Sequence, residues 1–115
     1  MSNPSGRKGA YWEHRLASYL ACELGLPVER RVTNGAKDRG DLTGIPFVVV
    51  EAKNEKRIDL PGYLREAERE RANDGAKLGV VMVPYAHHGV GDGYAVVRIS
   101  DMAHILRVLV KGEAW

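Results

Sequence analysis

A chain of 115 residues with 44% hydrophobic and 28% charged side chains can build one hydrophobic core but not two. That balance excludes a disordered chain, and no apolar run approaches the roughly 20 residues of a membrane span. The formal net charge of +2 excludes neither an enzyme nor a nucleic-acid binder, whereas the single cysteine, Cys22, excludes a disulfide framework and a cysteine-built zinc site.

The polar start of the chain lacks the apolar stretch of a secretory signal, so a cytoplasmic setting is expected, with residues 1–6 as a flexible leader. From 8 to 24, Leu16, Leu20 and Leu24 recur every four residues beside Ala17 and Ala21, and Gly25 and Pro27 follow. This is the pattern of an amphipathic helix with its stop signal. Glu13, three residues before Leu16, shares the leucine face, so a carboxylate points toward the core side. Residues 28–32 read as a short strand, 33–40 as a loop, and Asp41 opens the next element. Gly44 and Pro46 punctuate a hairpin-like connection into the strongest strand signal of the chain, 47–53. Side-chain alternation puts Val49, Glu51 and Lys53 on one face of that strand and Val48, Val50 and Ala52 on the other.

Asp59 with Pro61 starts a second helix, which Asn73 and Gly75 end. Leu60, Leu64 and Ala67 are its expected apolar stripe, and Arg65, Glu66, Glu68, Arg69, Glu70 and Arg71 its solvated face. Residues 78–83 form another strand, Asp92-Gly93 a turn, and 94–99 a strand paired with it. Ser100 is expected to cap a last helix through 110, with Val96, Ile99, Ile105, Leu106 and Leu109 as core, although an exposed part of that helix can instead join two subunits. The order helix, three strands, helix, two strands, helix is that of one mixed α/β domain over 1–115.

Carboxylates and a lysine at the end of an apolar strand are costly unless something compensates their charge. A hard divalent cation does so with two or so carboxylates and its own waters. If the segments bearing Asp41 and Glu51 pair, their carboxylates converge at one edge, the Ala52 carbonyl completes the ligand set, and Lys53 points at whatever the cation binds. Glu13 is a third acid brought from the first helix. This combination suits phosphodiester hydrolysis, with Lys53 orienting or deprotonating the attacking water. Basic residues gather around the same segment: Arg7 and Lys8, then Arg30, Arg31, Lys37 and Arg39, then Lys56 and Arg57. Arg7, Lys8, Lys37, Arg39, Lys56 and Arg57 are the expected DNA contacts.

Glu13 in "RKGAYWEHRLASYL", Gly40-Asp41 before a strand, and "VVVEAKN" with Glu51-Ala52-Lys53 at its end resemble the PD-(D/E)xK nuclease superfamily, with the arrangement closest to archaeal-type Holliday junction resolvases. The match runs from 7 to about 83, and Gly40 stands where the family pattern has proline. The resemblance implies a restriction-endonuclease-like core (αβββαβ), here with an extra C-terminal strand and helix on a mixed central sheet. It implies Mg2+ dependence with Mn2+ as a substitute, a homodimer, and branched DNA such as a four-way junction as substrate. Asp41, Glu51 and Lys53 would be the catalytic trio and Glu13 a metal ligand or a support to one. Glu66, Arg69 or Lys77 would be auxiliaries near the second helix. Rival readings are a flap-, end- or sequence-directed nuclease of the same fold and an inactive DNA-binding subunit. His87 and His88 lack the spacing of a helical zinc site and read as loop residues. Gly89, Gly91 and Gly93 read as a flexible hairpin.

Overall fold

The computed structural model describes residues 4–32 and 40–115, with side chains from residue 8 onward in the first helix. The chain opens with helix α1 (Pro4–Leu24), which begins ahead of the expected start at residue 8 and ends in a left-handed Gly25. Two short strands follow, β1 (Glu29–Arg30) and β2 (Leu42–Thr43), paired antiparallel with each other. Strand β3 (Val48–Ala52), helix α2 (Leu60–Asp74) and strand β4 (Leu78–Val83) then form a βαβ unit, in which β3 and β4 run parallel from Val48 opposite Leu78 to Ala52 opposite Met82. A 3-10 turn at Val90–Asp92 leads to β5 (Tyr94–Val96), antiparallel to β4, and α3 (Ile99–Lys111) closes the chain. The architecture is α/β on a mixed three-stranded sheet ordered β3-β4-β5, with β1 and β2 as a separate pair. No helix among the described residues is long and apolar enough to cross a membrane.

Two helices cover the sheet. Trp12, Leu16 and Ala17 of α1 pack on Val50 and Ala52 of β3 and Val80 of β4, with Val28 and Leu42 closing the cluster. Tyr63 and Ala67 of α2 pack on Val81 and Val83. Strand alternation therefore sends Val50 and Ala52 toward α1 and Glu51 toward α2. Helix α2 starts where Asp59 accepts a hydrogen bond from the Gly62 N–H, and it stops at Gly75, whose left-handed backbone lets its N–H and that of the next residue reach the last turn.

Three expectations need correction. The stripe that α2 buries is Tyr63, Ala67 and Glu70, one step round from Leu60, Leu64 and Ala67: Leu60 is exposed, whereas Glu70, expected on the solvated face, is 0% exposed. The last strand stops at Val96, and α3 starts at Ile99 behind Arg98, so Ser100 lies inside the helix and caps nothing. Nor does α3 supply core, because none of its residues is buried and Ile99 is 88% exposed. Among the described residues nothing covers much of the apolar side of this amphipathic helix.

Val81 sits at the centre of the sheet with no solvent exposure and touches the α2 face. Val81→Ala is expected to lower the free energy of unfolding by about 2 kcal/mol, the cost of removed methyls plus an unfilled cavity, read by urea titration at unchanged slope.

Candidate active site

Asp41 lies at the edge of β3 because the backbone before it turns through a left-handed Gly40 (φ 100°). A Cβ on Gly40 would approach the Val49 Cγ1 to 2.7 Å and the Val50 carbonyl oxygen to 3.2 Å, so glycine is required twice, by conformation and by space. The proline of the family pattern, held near φ −65°, has no place in this backbone. With the turn made, the Asp41 N–H donates to the Val50 carbonyl at 2.9 Å, and the Ala52 N–H donates to Asp41 Oδ2 at 2.7 Å. The expected β2–β3 hairpin ladder is thus reduced to a clasp by one residue, since β2 pairs with β1 instead. N–H and C=O of one strand residue leave by the same edge, so the Ala52 carbonyl is presented on the Asp41 side, away from β4.

Glu13, Asp41, Glu51, Ala52 and Lys53 line one cleft of about 490 Å³, together with Lys8, Gly9, Asn54, Glu55 and Lys56. Glu13 reaches it from α1 and is held by Arg30, whose Nε donates to Glu13 Oε1 at 2.7 Å. Glu51, 4% exposed, points from β3 to α2. There carboxylate oxygens of Glu51, Glu66 and Glu70 come within 4.8 Å of one another, and this cluster could hold a metal ion. Lys53 Nζ lies 2.7 Å from Glu66 Oε2 and 3.4 Å from Glu51 Oε1, and 5.3 Å from the centre of the Tyr63 ring. The Tyr63 hydroxyl in turn donates to Glu55 and lies 3.1 Å from the Arg57 carbonyl.

Of the expected DNA contacts, Lys8 and Lys56 border the cleft with exposed side chains, and Arg57 is exposed beyond it. Arg7 belongs to α1, but its side chain lies outside the described residues, as do Lys37 and Arg39 altogether. Of the possible auxiliaries, Glu66 is in the site. Arg69 is exposed and touches it through its charge on Glu66, while Lys77 lies elsewhere, over the Phe47 ring. Glu70 was missed. The signal for it was Tyr63 at i, Ala67 at i+4 and Glu70 at i+7, a helical face that carries a carboxylate.

Charge governs what this cleft does. Burial pushes the Glu51 carboxyl up to about 12, aided by a hydrogen bond with Glu70 and by the charge of Asp41. Among the described residues no donor reaches Glu51 Oε2; a proton on Glu51 turns its contact with Glu70 from repulsion into that hydrogen bond. Burial also raises Asp41, a shift opposed by the Ala52 N–H and reinforced by Glu13. Burial pulls Lys53 down, but its contacts with Glu66 and Glu51 outweigh this and raise it, so it stays an ammonium at neutral pH. Burial likewise opposes ionisation of Glu66, and the hydrogen bond from Lys53 overrides it and lowers Glu66 below the usual carboxylate range.

Because the folded Glu51 holds its proton more tightly than the unfolded one, its contribution to stability is complete below about pH 4.5 and drains away as pH rises toward 12. The metal-free protein is expected to lose stability between pH 5 and 9, by at most about 1.4 kcal/mol per pH unit from this group. Glu51→Gln, which needs no proton, is expected to flatten the decline in a pH series of thermal melts. Comparison with family models, with curated proteins and with solved structures gave no match for this chain, so its own residues are the guide to its chemistry.

Proposed function

We propose that the chain is a divalent-metal-dependent endodeoxyribonuclease with a restriction-endonuclease-like core, acting as a homodimer on branched DNA in the manner of a Holliday junction resolvase. The observation that carries this reading is the meeting of Asp41, Glu51, Lys53, the Ala52 strand end and Glu13 in one cleft open to solvent. The residues fit a hard cation such as Mg2+, with Mn2+ as a substitute: the donors are oxygens, and Glu51 Oε2 is buried without a donor to neutralise it. Asp41, Glu51 and the Ala52 carbonyl would hold the ion, and Glu13 lies close enough to Asp41 for its charge to be felt there. When bound, such an ion polarises the phosphate and lowers the pKa of a water molecule.

The chain's own residues do the rest. Lys53, kept protonated and aimed by Glu66, offers a fixed positive charge to the phosphoryl oxygens as negative charge builds on them. The water oxygen forms a new bond to phosphorus, the bond to the leaving ester oxygen breaks, and that oxygen takes up a proton. A cluster carboxylate freed of its own proton is the group left to accept the proton from water. Lys8 and Lys56 at the rim attract the phosphate backbone and offset the acids that repel it.

A second copy is supported by α3. Ile99, Met102, Leu106 and Leu109 follow one another at three- and four-residue steps along an exposed stripe, with Ile99 88% and Leu109 75% exposed. With Val110, 77% exposed, they form an exposed apolar patch of the kind that contacts between protein copies bury. A twofold dimer brings two clefts to one DNA, as paired incision of a junction requires.

Incubation with labelled four-way junctions, flaps and blunt duplexes is expected to give cleavage with Mg2+ or Mn2+ and none with EDTA. Asp41→Asn and Lys53→Ala, each folded, are expected to lose at least 100-fold in rate. Preference among the substrates decides between junction, flap and end cleavage, and DNA binding without cleavage in any metal would sink the enzyme in favour of a binding subunit. Ile99→Lys with Leu109→Lys is expected to turn a dimer into a monomer in sedimentation at unchanged thermal stability, since neither side chain is buried.

A further inference from the structure

Beyond β4 the chain carries an aromatic cluster that the chemistry above does not use. The rings of Tyr85 and His88 lie 3.7 Å apart and 7° from parallel, and Tyr94 meets Tyr85 at 5.9 Å and 40°. The cluster is open to solvent: Tyr85 is 45% and Tyr94 54% exposed, and His88 is exposed. It is also built rather than accidental. His87 adopts a left-handed backbone (φ 66°), unusual for a residue with a side chain, and the turn closes with the His88 N–H donating to the Tyr85 carbonyl at 3.1 Å. Tyr94 is held by the β4–β5 ladder opposite Val83. The following loop is pressed onto α1, where a Cβ on Gly91 would come within 2.7 Å of the Tyr19 hydroxyl, so it is packed and not the free hairpin its glycines suggest.

Its position matters as much as its composition. Strands β3 and β4 are parallel and end side by side, with the Lys53 N–H donating to the Met82 carbonyl at 3.0 Å, so Tyr85 follows β4 at the same sheet edge as the acidic cleft. Val83 and Pro84 share a small pocket with Lys53, Asn54, Glu55 and Tyr63. From the other side α1 contributes Arg15, two residues past Glu13, whose Nη2 lies 3.5 Å from the His88 carbonyl and whose guanidinium lies 5.7 Å from the exposed Tyr11 ring. Solvent-exposed rings with a guanidinium beside them are the kind of surface on which unpaired bases stack while the backbone is held by positive charge. The exposed face of α3 is aliphatic by contrast, and that composition suits contact between protein copies.

We propose that Tyr85, His88 and Tyr94, with Arg15, form a stacking site for unpaired nucleobases beside the acidic cleft, so that the DNA presented there is single-stranded at that point. The proposal takes the identity of the polymer from the nuclease reading, and its test reads binding alone. Fluorescence anisotropy in EDTA is measured with labelled oligothymidine and with a blunt duplex. Tyr85→Ala and Tyr94→Ala are each expected to bind oligothymidine about tenfold more weakly, with duplex affinity changed by less than about twofold. Tyr85→Trp is expected to bind oligothymidine at least as tightly as the native protein.

Should Tyr85→Ala fail to fold, Tyr85→Leu keeps apolar bulk without a ring face and carries the same expectation. Unchanged oligothymidine affinity in these folded variants overturns the proposal, and so does an equal loss for both DNA forms. A shift in oligomeric state at constant DNA affinity also overturns it and assigns the cluster to a protein contact. Because no cleavage is read, an inactive Asp41→Asn protein serves as well as the native one, and a failure of the nuclease reading leaves the stacking result standing on its own.

Discussion

One ammonium organises the cleft. Lys53 lies between Glu51 on its own strand and Glu66 on the helix that crosses behind it, and five carboxylates, from Glu13, Asp41, Glu51, Glu66 and Glu70, converge around that region. Such a density of like charge is tolerable only if protons, counter-charges or a cation neutralise part of it. Counter-charges and donors are in place, with Arg30 on Glu13, the Ala52 N–H on Asp41 and Lys53 on Glu66, and burial beside Glu70 and Asp41 favours a retained proton on Glu51.

That arrangement sets stability against function. A sheet whose β3 strand buried an aliphatic residue at position 51 would be easier to fold, and a second helix with an apolar residue at 70 would pack on it without charge. Acids at both places therefore cost folding stability. A metal ion held by this cluster would compete with protons for the same oxygens, so its binding would depend on pH.

The scaffold supplies rigidity where the site needs it. Asp41 is fixed through its own backbone and side chain to β3, a strand locked in turn by the β4 ladder. Glu66 and Glu70 ride on α2, which is capped at both ends and seated by Tyr63 and Ala67. Acids on a strand, a clasped turn and two helices are therefore held at fixed separations, the condition for preorganised charge. Only α3 stands apart from this framework, its apolar side turned outward.

Local patterns in the sequence determined much of this. Continuous apolar runs located β3 and β4, the latter at its observed bounds; Asp59, Pro61 and Gly75 framed α2; and the alternation along 47–53 put Glu51 and Lys53 on one face. These features are legible because each depends on neighbours a few residues away. Tertiary structure alone decided which side of α2 meets the sheet, and so turned Glu70 from an expected surface charge into a buried one. It decided too that Arg30 would answer Glu13, that β2 would pair with β1 while Asp41 clasped β3, and that much of the apolar side of α3 would find no cover among the described residues. A periodic pattern states that a helix has an apolar face but not what lies against it. That answer depends on contacts between residues far apart along the chain, as with the carboxylates that make the cleft.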